Sequence, residues 1–416
     1  VKPENLCRAR LEAVPYKDSP GITQALKPVP QHSLKMPPIP ILISAGESSG
    51  DMYAARLATA LRARTDVQLF GMGGPRMRDA GVELVADCSE VSLVGIVEIA
   101  KKLPALKRVF KRLLGETDRR KPRLAILTDF PGFHLRLARA LKRQHVPNVY
   151  FVCPQFWAWR PWRANLVRRR FVRGLCIFPF EQEWYRSRGV AADFIGHPLV
   201  GNVAAGRSRA EFAAQFGLDP AQRIVAILPG SRGGEIAHHM PLLMEACRLI
   251  AQSQPAQFVL ALAPGMSKSR IAAYLQPNVP MHVVEDATYD ALGAADLTLV
   301  SSGTATVEAA LMNAPMIVVY RLAPLTAAIA RLLVRTPMFA MVNLIAGKRV
   351  VPELFQKDFT PQRVAAEAIH LLNSPAARAE MREGLAEVRS RLGPPGAIDR
   401  AAEIIAGMLR EAEIKS

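Results

Sequence analysis

Short, almost wholly apolar runs recur along the chain, and each stops where small or polar residues begin. The first is Ile39-Pro40-Ile41-Leu42-Ile43-Ser44-Ala45. Its lack of polar alternation predicts a strand buried on both faces. Further runs predict strands over 67–71, 124–127, 149–152 and 174–179, with helical spacing over 52–65, 103–114, 135–144 and 181–188. The pattern restarts at 223–228. A helix is predicted over 239–253, with later strands over 258–262, 281–284, 297–300 and 316–320. Two rounds of strand–helix alternation predict two doubly wound, Rossmann-like α/β domains. They are expected over 39–210 and 211–390. A helix over 391–416, after the break at Gly393-Pro394-Pro395-Gly396, is expected to pack back on the first domain or on a dimer partner. Residues 1–38 have many prolines and no apolar period, which reads as an unstructured extension with Met36 as the natural start.

Composition agrees with a folded chain: of 416 residues, 50% are hydrophobic and 22% charged. Charge adds something the pattern does not. Lys and Arg number 54 against 36 Asp and Glu, a net +18 that implies an anionic partner: nucleic acid, a membrane surface or a phosphorylated substrate. No uninterrupted apolar stretch reaches about 18 residues, so no spanning helix is expected. Five scattered cysteines without a CxxC read as a reduced, cytoplasmic protein without a zinc site.

Ligands of open α/β sheets bind beyond the carboxyl ends of the strands, and the unusual residues lie there. Ser44-Ala45-Gly46-Glu47-Ser48-Ser49-Gly50-Asp51 follows the first strand, with glycines for a tight turn at a helix N-terminus. The same stretch can also be an ordinary capped turn. Leu228-Pro229-Gly230-Ser231-Arg232 suits a diphosphate, with backbone donors at Gly230 and Ser231 and a guanidinium fork at Arg232. Ser301-Ser302-Gly303-Thr304 enters another helix. There Gly303 and Thr304 suit phosphate, and Glu308 one turn further on suits ribose hydroxyls. Asp129, at a strand end, is a candidate general base, with His134 close by. The segment Phe156-Trp157-Ala158-Trp159-Arg160-Pro161-Trp162 interleaves aromatics with arginine. It fits nucleobase stacking, sugar binding, a lipid interface or a plain hydrophobic anchor. Val94, Ile96, Val97 and Phe110 with Lys101 and Lys102 form a basic amphipathic stretch suited to an anionic membrane surface.

Taken together, these strings resemble the lipid-A-disaccharide synthase family of GT-B glycosyltransferases. The carrying motifs also include Gly71-Met72-Gly73-Gly74, Val94-Gly95-Ile96-Val97-Glu98, Phe194-Ile195-Gly196-His197-Pro198 and Asn343-Leu344-Ile345-Ala346-Gly347. The resemblance spans roughly residues 39–410. It implies transfer of a sugar from UDP-2,3-diacylglucosamine to 2,3-diacylglucosamine 1-phosphate, with inversion, forming the β-1,6-linked disaccharide of lipid A and releasing UDP. It implies Asp129 and Asn343 as catalytic residues; His134, close to Asp129 and standing where the family has Asn, is a candidate to assist it. UDP and substrate contacts fall on Gly46, Glu47, Ser49, Ser231, Arg232, Gly303, Thr304 and Glu308. Neither metal nor other cofactor is implied. The implied setting is a homodimer bound peripherally to the anionic inner face of a Gram-negative inner membrane, with no nucleic-acid partner. The family's usual Asp-Ala-Pro-Asp-Phe-Asn reads here Asp129-Phe130-Pro131-Gly132-Phe133-His134, so a second carboxylate is missing. A rival is another GT-B enzyme acting on UDP-N-acetylglucosamine, a peptidoglycan transferase or a 2-epimerase. A basic nucleic-acid-binding protein is less favoured, because it leaves the turns at Gly230 and Gly303 unexplained.

Overall fold

The apolar runs become parallel strands. In this computed structural model, residues 37–91, 96–323 and 338–414 are described, without the side chains of 96–102 and 412–414. Val94 therefore lies outside the described residues, as do the side chains of Ile96, Val97, Lys101 and Lys102. The first sheet contains β1 (Ile39–Ala45), β2 (Val67–Gly73), β3 (Glu83–Asp87), β4 (Leu124–Thr128), β5 (Asn148–Phe151), β6 (Arg173–Cys176) and β7 (Ala192–Phe194). Its order is β3-β2-β1-β4-β5-β6-β7. The second contains β8 (Ile224–Leu228), β9 (Gln257–Ala261), β10 (Met281–Val284), β11 (Leu297–Ser301), β12 (Met316–Tyr320) and β13 (Glu353–Phe355), in the order β10-β9-β8-β11-β12-β13.

Ile41, Leu42 and Ile43 are all fully buried although consecutive side chains point to opposite faces. Helices cover both faces, so no polar alternation is needed, and burial of each such side chain contributes about 1.5–3 kcal/mol. The helices that matter below are α1 (Ser48–Arg62), α2 (Pro75–Asp79), α3 (Ile96–Arg120), α4 (Pro131–Arg143), α5 (Phe156–Trp159), α6 (Ala164–Arg170), α7 (Pro179–Arg186), α8 (Arg209–Phe216), α9 (Gly233–Ser253), α10 (Thr288–Ala294) and α11 (Thr304–Leu311). The C-terminal helix Ala397–Ile414 lies against α1, where Arg64 and Asp399 pair at 2.7 Å.

Three strands are absent from the sequence reading: β3, β7 and β13. Each stands at a sheet edge, and β7 and β13 are three residues long. Such pieces are too short to show a period. Helix α3 also begins earlier than expected, because Pro104 is carried inside it rather than ending it. Of the apolar positions assigned to the membrane-facing stretch, only the side chain of Phe110 is described. Leu113 is fully buried, and the half-buried Phe110 packs edge-on against Phe133 at 5.8 Å. Leu103, by contrast, is 48% exposed. Among the described residues no helix is long and apolar enough to cross a membrane.

Candidate active site

Strand order creates a switch point in each sheet, where the chain runs outward in both directions from a central pair. In the first sheet that pair is β1 and β4, with Ala45 opposite Thr128. In the second it is β8 and β11, with Leu228 opposite Val300. The loops that leave these four strands carry Gly46–Asp51, Asp129–His134, Gly230–Arg232 and Ser302–Thr304. The two switch points are joined directly: Arg232 Nη2 lies 3.1 Å from Glu47 Oε2.

Asp129 and Phe130 both adopt left-handed backbone, with φ of 52° and 43°. Neither is glycine, and such geometry costs on the order of 1–3 kcal/mol per residue unless its surroundings impose it. Here they do. The Asp129 carbonyl accepts two hydrogen bonds, from His134 Nδ1 and from the Tyr150 hydroxyl, both at 2.9 Å. A Cβ on Gly46 would lie 2.4 Å from the Phe130 ring, and one on Gly50 would lie 1.8 Å from Asp129 Oδ2. Both glycines of the first motif are thus explained by what presses against them.

The Asp129 carboxylate accepts the Gly46 N–H at 3.1 Å through Oδ1, whereas the buried Oδ2 has no hydrogen-bond partner. Burial raises its pKa well above the ordinary carboxylate range. Glu47 raises it further, and the backbone N–H groups of Gly46, Glu47 and Gly50 oppose. A buried carboxylate with a raised pKa and one free oxygen can accept a proton.

His134 is fully buried, and both ring nitrogens are engaged. Nδ1–H donates to the Asp129 carbonyl, and Nε2 accepts from Ser44 Oγ at 2.9 Å. Burial lowers its pKa to about 4, so it is neutral at pH 7. It holds the Asp129 backbone and does not reach the carboxylate.

Asn343 is likewise fully buried and fully bonded. Its Nδ2 donates to the Val351 carbonyl at 2.9 Å and to Glu353 Oε1 at 2.8 Å. Its Oδ1 accepts the N–H groups of Val350 at 2.7 Å and Val351 at 3.0 Å. With all four bonds spent inside the chain, Asn343 fastens the turn before β13 and has no polar atom left for a ligand. The polar atoms of His134 and Asn343 are thus all bonded within the chain, an arrangement that suits a positioning role for both.

The loop after β8 is tied more tightly than its sequence suggests. Glu235 Oε2 accepts the N–H groups of Ser231 at 3.1 Å and Arg232 at 3.3 Å. Of the two backbone donors expected to form a cradle, Ser231 is thus engaged within the loop. His239 pins the same loop: Nδ1–H donates to the Pro229 carbonyl at 2.8 Å, and Nε2 accepts the Arg321 N–H at 3.0 Å. The guanidinium of Arg232 remains as a donor. Burial works against its charge, but Glu47 and Glu235 overcome that and raise its pKa.

The loop after β11 is open. Gly303 and Thr304 are exposed, and no atom lies within 4 Å of a Cβ built on Gly303. The first turn of α11 therefore offers free N–H groups to an anion. Glu308 is turned inward, accepts the Tyr289 hydroxyl at 3.0 Å, and has its pKa raised by burial. Ser49 sits half-buried in the first turn of α1. Asp51 caps α2, accepting from Gly74 at 2.6 Å, Arg76 at 3.1 Å and Met77 at 3.2 Å. Tyr150 had no signal in the sequence, being a polar residue inside an apolar strand. Glu235 had one: its place three residues after Arg232 is a capping position.

Two wholly parallel sheets with their open loops at paired switch points define a GT-B-fold protein. The solved structures it resembles include UDP-N-acetylglucosamine 2-epimerase from Neisseria meningitidis, at 12% identity and a TM-score of 0.59, covering 90% of this chain and 100% of that one. A calicheamicin glycosyltransferase gives 16% identity and a TM-score of 0.56, with 90% and 99% covered. A lipid-A-disaccharide synthase of Solibacter usitatus is 44% identical over 373 residues, covering 89% of this chain and 97% of the relative. The family model for lipid-A-disaccharide synthetase matches residues 41–395, and the chain belongs to that family of lipid A glycosyltransferases.

Proposed function

We propose that the chain transfers the sugar of UDP-2,3-diacylglucosamine to the 6-hydroxyl of 2,3-diacylglucosamine 1-phosphate in one inverting step. The new bond forms between the acceptor oxygen and the anomeric carbon. The bond from that carbon to the UDP oxygen breaks, and its electron pair leaves with UDP. The acceptor proton passes to Asp129. The observation that carries this reading is the free, buried Oδ2 of Asp129 at one switch point, linked through Glu47 to Arg232 at the other.

Arg232 can exchange Glu47 for the diphosphate, and the N-terminus of α11 faces developing negative charge without reorganising. Glu308 is the candidate partner of the ribose, with Ser231 and Thr304 as hydroxyl contacts to UDP. Gly46, Glu47 and Ser49 line the acceptor side. Both substrates carry acyl chains, at about 0.8 kcal/mol per buried CH₂, so the reading includes peripheral attachment to an anionic membrane surface through Val94, Ile96, Val97, Lys101 and Lys102. It also includes a homodimer. An epimerase reading has only fold-level likeness behind it, at 12% identity.

The test uses purified protein and a UDP-release assay. UDP should appear only when both substrates are present. Asp129→Asn should lose at least about 1,000-fold in turnover, the upper range for a removed general base, while still binding UDP. Retained turnover in that variant would remove Asp129 from the chemistry.

A further inference from the structure

A second feature at the same end of the first sheet is a group of arginines without acidic partners. Strands β4 and β5 are neighbours, with Thr128 opposite Phe151, so the segments that follow them leave the sheet side by side. The first carries Asp129 and then, two turns along α4, Arg136. The second carries α5 and the turn holding Arg160 and Arg163.

Arg160 lies 4.5 Å over the Trp159 ring. Arg163 lies 5.5 Å from the Trp159 ring, 5.4 Å from Trp162 and 5.8 Å from Phe156. Its Nε is buried with no hydrogen-bond partner. Helix α6 is tied to α4 by Arg170 Nη1, which donates to the Leu135 carbonyl at 2.7 Å.

Several surface arginines elsewhere are neutralised: Arg112 pairs with Glu90, Arg120 with Glu83 and Arg186 with Asp193. Among the described residues no carboxylate comes within 4.0 Å of Arg136, Arg160 or Arg163. Arg136 donates only to the Gly132 carbonyl, at 3.1 Å, and the glycine at 132 leaves no acid one turn before it. Burial depresses the Arg163 pKa, and the charges of Arg160 and Arg136 depress it further. Three like charges held together without a counter-ion cost free energy that an anionic ligand would recover.

We propose that Arg136, Arg160 and Arg163 bind the phosphate monoester of the acceptor lipid, so that its sugar is held between this cluster and Asp129. The inference rests on the acceptor proposed above. One observation favours a phosphorylated lipid over free phosphate. Trp162, beside Arg163, is 58% exposed and offers an apolar surface next to the charge. Tyr150, whose hydroxyl donates to the Asp129 carbonyl, lies on β5, the strand from which the arginine-bearing segment leaves the sheet.

The experiment compares 2,3-diacylglucosamine 1-phosphate with the same acceptor lacking its phosphate, in the wild type and in Arg136→Gln, Arg163→Gln and the double variant. The wild type should prefer the phosphorylated acceptor. Each single variant should raise its KM about 10- to 100-fold, the range for a charged hydrogen bond, with a smaller change in kcat. The double variant should bring the kcat/KM ratio of the two acceptors close to one. Arg136 is exposed, so its variant separates this effect from misfolding. The KM for the sugar donor and sedimentation with vesicles containing anionic lipid should match wild type. A preserved preference for the phosphorylated acceptor would overturn the site. So would equal losses on both acceptors accompanied by loss of vesicle binding, which would make the cluster a membrane contact. A wild type that makes product from neither acceptor overturns the proposed transfer itself, and this site with it.

Discussion

At the scale of single residues, the site depends on a few side chains whose surroundings override their ordinary behaviour. The position of Asp129 at a strand end was legible in the sequence. Its left-handed backbone was not, because that conformation is imposed by partners distant in the chain: Ser44 through His134, and Tyr150. If Asp129 accepts the proton, it must be ionised, so kcat/KM should rise as pH rises through its raised pKa. Glu47 is one cause of that elevation. Glu47→Gln should therefore move the acid limb of the profile to lower pH, as measured with saturating donor. An unmoved limb would detach either Glu47 from Asp129 or Asp129 from the reaction. Asn343 shows the opposite limit of sequence reading. An asparagine in a suggestive motif looks like a catalytic group, and only the coordinates show its four internal bonds. Asn343→Ala leaves the N–H groups of Val350 and Val351 unsatisfied, at about 1–3 kcal/mol for each group. The variant should melt several degrees lower, as followed by circular dichroism. An unchanged melting curve would deny Asn343 its fastening role.

At the scale of elements, the central strands declared themselves because both faces are covered, whereas the edge strands were too short to do so. The tryptophan segment was ambiguous for a related reason: its anchor lies elsewhere in the sequence. Glu181 on α7 is fully buried, accepts the Trp157 indole N–H at 3.1 Å through Oε1, and accepts the Phe178 N–H at 3.3 Å through Oε2. Burial raises its pKa to about 7, opposed by these hydrogen bonds. Between the ordinary glutamate range and about pH 7, the unfolded chain has lost this proton while the folded chain keeps it. The contribution of Glu181 to stability therefore falls as pH rises through that window. Glu181→Gln should remove the slope, so urea unfolding from pH 5 to 8 should show wild type weakening relative to the variant. A constant difference would contradict the assignment. His134 and His197 act on the acid side. Burial lowers their pKa values to about 4 and about 3. The unfolded chain gains their protons first, so stability falls as pH drops below about 6.5.

At the scale of the molecule, the excess positive charge noted in the sequence resolves into parts with different fates. Many arginines are spent in ion pairs. Others, at Arg136, Arg160 and Arg163, make no ion pair among the described residues and are proposed to meet the acceptor phosphate. The basic residues of α3 follow the apolar stretch 94–97 proposed to meet the membrane. Ile96→Ser with Val97→Ser should reduce sedimentation with anionic vesicles and leave the soluble UDP-binding signal intact; undiminished sedimentation would exclude that contact. Strand order then explains why candidate residues far apart in sequence converge. Residues 46, 129, 232 and 303 each follow one of the four strands that flank a switch point. Apolar runs predict that these strands exist, but pairing order emerges only in the folded chain, and so does the Glu47–Arg232 bridge.

The central claim is tested most directly by incubating the purified protein with UDP-2,3-diacylglucosamine and 2,3-diacylglucosamine 1-phosphate, then examining the product by mass spectrometry and proton NMR. The account predicts a tetraacyl disaccharide monophosphate with a β-configured 1,6 linkage, formed together with UDP and lost with Asp129→Asn. An α linkage, or a UDP-sugar consumed without any disaccharide, would contradict it.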